Sequence, residues 1–381
     1  MHSLPTPSPE AATHSQLLQQ TMQREIALSG GWISFARYME LALYAPGLGY
    51  YAAGATKFGS AGDFTTAPEH SHLFGRTLAQ QVAQVLTETG GEVLEVGAGS
   101  GKLACDVLLE LQRLNALPTR YAILELSATL QARQRATISA QAPQFLDRVQ
   151  WLARLPETMT GIVLGNEVLD AMPVHLVTRQ HGVLMERGVG ILDEQFIWQD
   201  RALTKGAVQQ ATTALDLSEG YVTEINLAAP AFIASVAECM TRGALLFIDY
   251  GFPRAEYYHP QRQQGTLMCH YRHHAHGDPF YWPGLQDITA HVDFSALLDS
   301  APALQLLGYA TQANFLINCG ITDLLAETAP EHVANYLPLA NQVQHLLSPA
   351  EMGELFKVIA LGKNLNLPLL GFSRGNQQHR L

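Results

Sequence analysis

From Ser15 to Leu43 apolar side chains recur every three or four residues, the spacing that gathers them on one buried face of a helix. The stretch runs into "YAPGLGYYAAG", where proline and glycine impose loop structure, and a second loop, "GSAGDFTTAPE", follows. Helical spacing returns from about His70 to Thr87. Beyond it, short apolar runs alternate with helical patterns. Strands are predicted at Glu92–Val96, Tyr121–Leu124, Val149–Leu152, Gly161–Leu164 and Ala244–Asp249, with helices between the first four. That alternation is the mark of a parallel sheet covered on both faces. The stretch "PVHLVTRQHGVLMERGVGILDEQFIWQD" breaks the rhythm. It alternates with period two around glycine-containing turns, which predicts an antiparallel meander inserted after the fourth strand. Two further strands, "ALQLLGYA" and "ELFKVIALGK", flank a helical stretch from about Gln312 to Leu347 and close the sheet antiparallel.

The expected plan is therefore an α/β fold on a Rossmann-like sheet of seven strands, the last antiparallel. Residues 1–14, rich in Pro, Ser and Thr, read as a flexible tail. Residues 15–90 form a helical N-terminal segment, and 91–381 the core, with insertions at about 173–240, 253–300 and 312–350.

Composition narrows the function classes. The 381 residues are 47% hydrophobic and 15% charged, and no apolar run is long enough to span a bilayer. A formal charge of −11 argues against a broad nucleic-acid-binding face. The four cysteines are scattered without a C-x-x-C pair, so neither a disulfide framework nor a zinc ribbon is expected. The opening residues match neither a secretory signal nor an Arg-rich transit peptide, and the expected location is the cytoplasm.

The segment "VLEVGAGSGKLACDVL" carries the first chemical signal. A phosphate-cradling G-x-x-x-x-G-K-[ST] loop would need glycine at Val96 and a hydroxyl at Leu103, and both positions fail. A dinucleotide G-x-G-x-x-G would need glycine at Lys102, which also fails. The pattern present is G-x-G-x-G, Gly97, Gly99 and Gly101, preceded by Glu95. This is the form that lets the backbone approach the methionine and ribose of S-adenosylmethionine, with no pyrophosphate to hold. Glu125, ending the next strand in "YAILELS", can accept hydrogen bonds from both ribose hydroxyls; a solvated strand end is the alternative.

Several segments together resemble the MidA-like methyltransferases: "YAPGLGYYA", "GSAGDFTTAPE", "EVLEVGAGSGKLA", "YAILELS", "GNEVLDAMPVH", "FIDYGF", "GTLMCHYRHHAHGDPF", "PGLQDITAHVDF" and "GELFKVIALGK". They run in the family's order from about Tyr44 to Lys363. The resemblance implies a class I S-adenosylmethionine-dependent methyltransferase fold. In the family's mitochondrial members it implies a protein arginine on a complex I subunit as acceptor. The start of this chain departs from those members and looks like that of a bacterial relative. The implied cofactor residues are Glu95, Gly97, Gly99, Gly101, Glu125, Ser127 and Asn166, joined by Asp63, Thr65, Thr66 and Glu69 of a loop that would cover the cofactor. For that loop, a turn followed by an N-capped helix is the alternative reading, and both can hold at once.

"GNEVLDAMP" follows the fourth strand, at the carboxyl edge where open α/β sheets place their ligands. Asn166, Glu167 and Asp170 are therefore the candidate catalytic residues. Glu167 is first choice to hold a cationic nucleophile and to take the departing proton, and Asp170 second. A carboxylate pair that caps a helix would look the same in sequence. The two-glutamate hairpin of the well-known arginine methyltransferases is not recognisable. "CHYRHHAHGDPF" is dense in metal ligands but has no second ligand pair, and methyl transfer from a sulfonium needs no metal, so none is assigned. His175, His291 and Asp293 are candidate substrate contacts, with Asp287 nearby in "DITAHVDF"; a structural histidine is as reasonable for His291. The expected function is methyl transfer to a protein side chain, arginine favoured, in respiratory-complex assembly. The alternatives are an assembly chaperone that keeps the cofactor pocket, and an NAD-dependent oxidoreductase, which the loop spacing disfavours.

Overall fold

The computed structural model describes residues 4–52 and 66–381. Its central sheet consists of β1 (Glu92–Val96), β2 (Tyr121–Leu124), β3 (Val149–Leu152), β4 (Met159–Asn166), β5 (Met240–Phe252), β6 (Gln305–Thr311) and β7 (Phe356–Lys363). They lie in the order β3-β2-β1-β4-β5-β7-β6. β1 pairs in parallel with β2 and β4, and β4 in parallel with β5. β7 is inserted between β5 and β6 and runs antiparallel to both. The strand order reverses between β1 and β4, and a crevice opens at the carboxyl ends of strands at such a reversal.

Helices α1 (Pro9–Leu28), α2 (Phe35–Tyr44), α3 (Ala67–His70) and α4 (His72–Thr89) precede the sheet. α5 (Lys102–Arg113) follows β1, α6 (Ala128–Gln141) follows β2, α7 (Ala228–Cys239) leads into β5, and α8 (Phe294–Ser300) precedes β6. Successive strand residues face opposite layers. Val93, Ile162, Leu246 and Val358 pack with the apolar faces of α4 and α5. Leu94, Val163, Leu245 and Ile359 pack with α7 and α8. Among the described residues no helix is long and apolar enough to cross a membrane.

The apolar pattern misled at four places. No helix joins β3 to β4, where the expected one is replaced by six irregular residues, 153–158, with Pro156 among them. The other three have local reasons. The stretch expected as a tail is helical from Pro9, because the Ser8 hydroxyl accepts from the Ala11 amide and caps α1. The continuous helix expected over Ser15–Leu43 is two, divided at Gly30 and Gly31, whose φ of 75° and 80° no helix accommodates. The stretch from Gln312 to Leu347 is three helices, Gln312–Asn318, Ile321–Ala326 and Val333–Leu347, the first break falling at Gly320 with φ 84°.

Two accessory sheets flank the crevice. The meander forms strands Val174–Gln180, Val183–Leu192 and Gln195–Ala202, and it recruits Val222–Asn226 and the two-residue strand Ile33–Ser34. A smaller sheet of Met268–Tyr271, His274–His276 and Asp287–Thr289 belongs to the insertion after β5. Val292–Asp293 then pairs in parallel with the carboxyl end of β5, Gly251 opposite Val292, and so fixes that insertion to the core.

Candidate active site

At the strand-order reversal β1 ends in the glycine loop. Gly97, Gly99 and Gly101 have φ of 63°, 53° and 87°, the left-handed region where a side chain is strained. A Cβ on Gly101 would also lie 3.0 Å from the Gln134 Cα. The loop therefore turns tightly into α5 and leaves its backbone bare toward the crevice. Glu95 is 2% exposed and accepts a 2.7 Å hydrogen bond from the Tyr121 hydroxyl; burial pushes its carboxyl up to about 7. Glu125 accepts from the Ser127 amide at 2.9 Å and from the Gln134 side chain at 3.1 Å, while burial still raises its carboxyl above the usual range. Ser127 in turn caps α6 through the Leu130 amide. Glu95, Gly97, Gly99, Glu125 and Ser127 line a cleft of 1310 Å³, together with Asn166 and Glu167 from the end of β4. Thr66 and Glu69 lie on its wall too, with the Ser100 hydroxyl donating to Glu69. Asp63 and Thr65 fall outside the described residues. His175 reaches the same cleft and pairs with Glu186 at 2.7 Å.

Past β4 the chain turns sharply. Glu167 has a φ of 53°, unusual for glutamate, and its amide donates to the Ile248 carbonyl of β5 at 2.9 Å. The next turn is held by Asp249, fully buried in β5, whose Oδ2 accepts from the amides of Val168, Leu169 and Asp170 at 3.1, 2.8 and 3.3 Å. Capping thus belongs to Asp249, and the carboxylates of Glu167 and Asp170 point elsewhere. The Glu167 Oε1 accepts from the Asn166 side chain at 3.0 Å and the Ala67 amide at 3.4 Å. Loss of water, then the neighbouring Asp170, pushes its carboxyl up to about 8. Asp170 is pushed up to about 6, chiefly by burial, against a hydrogen bond from Tyr250. The Oδ1 atoms of Asn166 and Asp170 are buried and have no hydrogen-bond partner.

Behind Glu167 lies a second cavity, of 560 Å³. Among the described residues only Tyr51 and Glu167 line both spaces. The rear cavity is walled by Asp170, Asp287, Tyr250 and His291 among others. Asp287 comes from the small sheet and receives the Tyr51 hydroxyl on both carboxylate oxygens at 3.0 Å. Burial and the charges of Arg262 and Lys357 pull the His291 imidazole down to about 4, so it is neutral at pH 7. Asp293 lines neither cavity; it caps α8 through the Ser295 and Ala296 amides and faces Arg254. In the histidine-rich stretch His270 reaches the rear cavity, whereas His273 and His274 are exposed. Among the described residues no three His, Cys, Asp or Glu side chains are grouped to hold a metal.

The sequence model of a family described as S-adenosyl-L-methionine-dependent methyltransferases matches residues 73–310. The chain belongs to this family. The methyltransferase is 28% identical to the zebrafish (Danio rerio) mitochondrial protein arginine methyltransferase NDUFAF7, over 92% of this chain and 91% of that one. It is 27% identical to the Drosophila melanogaster homologue, over 97% and 92%. A crystal structure of a Burkholderia thailandensis protein bound to S-adenosyl-homocysteine is 53% identical, superposes with a TM-score of 0.97 and covers both chains completely.

The methyltransferase's cofactor is S-adenosylmethionine, and the cleft fits it. Gly97 and Gly99, both left-handed, leave their backbone accessible, Glu95 and Glu125 stand at the two adjacent strand ends, and the unpaired Asn166 Oδ1 faces a space lined by all of them, whereas Gly101, expected as a cofactor contact, is buried and only shapes the turn. Three polar residues of the centre escape the sequence reading, Asp249, Tyr51 and Tyr250, and Asp287 stands in it only as a neighbour of His291 and Asp293, without a role. All of them sit in family-like segments, "YAPGLGYYA", "FIDYGF" and "PGLQDITAHVDF", but nothing in local spacing tells a capping aspartate from one facing a cavity.

Proposed function

We propose that the methyltransferase modifies an arginine side chain of a protein partner, a subunit of a respiratory complex. One observation carries this reading: Glu167 forms the wall between the cofactor cleft and a cavity that also holds Asp170 and Asp287. The names of the zebrafish and fruit-fly relatives, protein arginine methyltransferases, support it. When bound, the cofactor supplies an electrophilic methyl group on a sulfonium. The protein's task is then to deliver a nucleophilic nitrogen in line and to dispose of its proton. Ionised Glu167 can hold a guanidinium by charge-assisted hydrogen bonds. A carboxyl that titrates at about 8 is also well matched to accept the proton shed as the new nitrogen–carbon bond forms. Asp249 keeps Glu167 in place by fixing the backbone that follows it. A cytoplasmic setting is part of the proposal, supported by four cysteines that are all free thiols.

The test is transfer of a labelled methyl group to the proteins of a cell lysate, followed by mass spectrometry of the labelled site. Label on an arginine of a respiratory-complex subunit is the expected result. Label confined to another residue type, or no protein label at all, would falsify the reading.

A further inference from the structure

We infer that the 560 Å³ rear cavity is the chamber that takes the methyl-accepting cationic side chain, and that Asp170 and Asp287 are its specificity-determining carboxylates. This rests on the arginine reading and says where the arginine enters and what selects it.

Three observations converge. The first is topological. The rear cavity meets the cofactor cleft only at Tyr51 and Glu167 among the described residues, so a side chain filling it has its tip at the one carboxylate that faces both spaces. Its volume lies within the ~300–1,000 Å³ of ordinary ligand pockets. The second is an unmet polar group. Asp170 is 4% exposed, and its Oδ1 has no partner although Tyr250 binds the carboxylate. An unsatisfied buried acceptor costs stability, and a guanidinium with five donors in a rigid fork would satisfy it. The third is the origin of the charges. Glu167 and Asp170 follow β4, while Asp287 is carried in by the insertion after β5. The Tyr51 hydroxyl on both oxygens of Asp287 holds that carboxylate at the junction of the two spaces.

Two separate segments thus supply the pair of acidic groups that one hairpin would otherwise provide. The tyrosine rings of Tyr51 and Tyr250 add faces suited to a delocalised cation. Basic residues stand on the same wall, Arg262, His270, His291 and His345. Arg262 stacks on the Phe252 ring at 3.9 Å and donates to the Glu256 carbonyl, and His291 is neutral. A lysine could share the charge but not the fork, and a neutral side chain would leave the buried Asp170 Oδ1 without the charged donors that fit it.

The test uses the full chain saturated with S-adenosyl-homocysteine, titrated with blocked Gly-Arg-Gly peptide and with its citrulline twin, by NMR. The arginine peptide is expected to bind at least ~10-fold more tightly than the neutral one. Asp287→Asn and Asp170→Asn should each shrink that preference by ~5-fold or more, and Asp287→Glu should restore most of it. Equal binding of the two peptides, or binding of neither, overturns the chamber, as does an undiminished preference in both asparagine variants that still bind S-adenosyl-homocysteine. Labelled transfer to lysate separates the two proposals. Arginine label from Asp287→Asn and Asp170→Asn at the wild-type rate with limiting acceptor sinks the chamber alone, whereas label on another residue type sinks the arginine reading beneath it.

Discussion

Glu167 concentrates the chemistry, and its two measurable properties are separable. Replacing it by glutamine keeps the size and most hydrogen bonding but removes the charge and the titrating proton. Cofactor affinity should stay within a few-fold of wild type, because the glycine loop, Glu95 and Glu125 are untouched. Turnover should fall ~100-fold or more, as when a group acting in the transition state is lost. Isothermal titration beside single-turnover kinetics decides this; wild-type turnover in Glu167→Gln would reduce Glu167 to a structural role. The second property is linkage. In the folded protein the carboxyl titrates at about 8, against an ordinary 4.5, so the native state holds the proton more tightly than the unfolded chain. That contribution to stability is complete below the lower value and is lost as pH rises through the upper one. Glu167→Gln cannot lose it. The Tm of Glu167→Gln relative to wild type should therefore climb between about pH 5 and about pH 9 without cofactor, and a flat difference would contradict the buried, protonated glutamate.

Between elements, the decisive contact is Asp249 of β5 reaching across to the turn after β4. Its carboxylate satisfies three backbone amides that have no other acceptor in the turn. Asp249→Ala leaves buried donors unpaired, each costing about 1–3 kcal/mol, so a loss of at least ~2 kcal/mol is expected in urea denaturation. In whatever fraction stays folded, turnover should drop further than cofactor affinity, because the turn aims Glu167 and Asp170 and not the glycine loop. A variant as stable as wild type would mean that water replaces the carboxylate. The same element shows how far local pattern reaches. The β1 loop and the ends of β1 and β2 were legible because strand, glycines and acidic residue are contiguous. The break of the N-terminal helix at Gly30 and Gly31 was hidden by apolar spacing that continues in phase on both sides.

For the molecule as a whole, cofactor binding and folding are one equilibrium. A ligand that binds only the native state stabilises it by about 2.7 kcal/mol at a hundred times its dissociation constant. S-adenosyl-homocysteine should therefore raise the Tm by several degrees in differential scanning fluorimetry, with the shift growing with ligand concentration. NAD at equal concentration should leave it unchanged, since Lys102 stands where a dinucleotide loop needs glycine. A larger shift with NAD would reopen the choice that the loop spacing made.

Sequence alone settled the strands of the sheet and the cofactor loop, because each depends on neighbours along the chain. Period-two and period-three-to-four patterns fix which face is buried, and G-x-G-x-G fixes a backbone geometry within five residues. The acceptor side of the centre was beyond its reach. Tyr51 and Asp287 are 236 positions apart, yet they share a hydrogen bond at the junction of two cavities. Asp293, six residues past Asp287 in a segment of the same composition, turns away to cap a helix. Which of two nearby aspartates faces a cavity depends on the insertion pairing Val292 with Gly251 at the end of β5. That pairing is long-range, selected by the packing of the whole insertion on the core, and no local spacing encodes it.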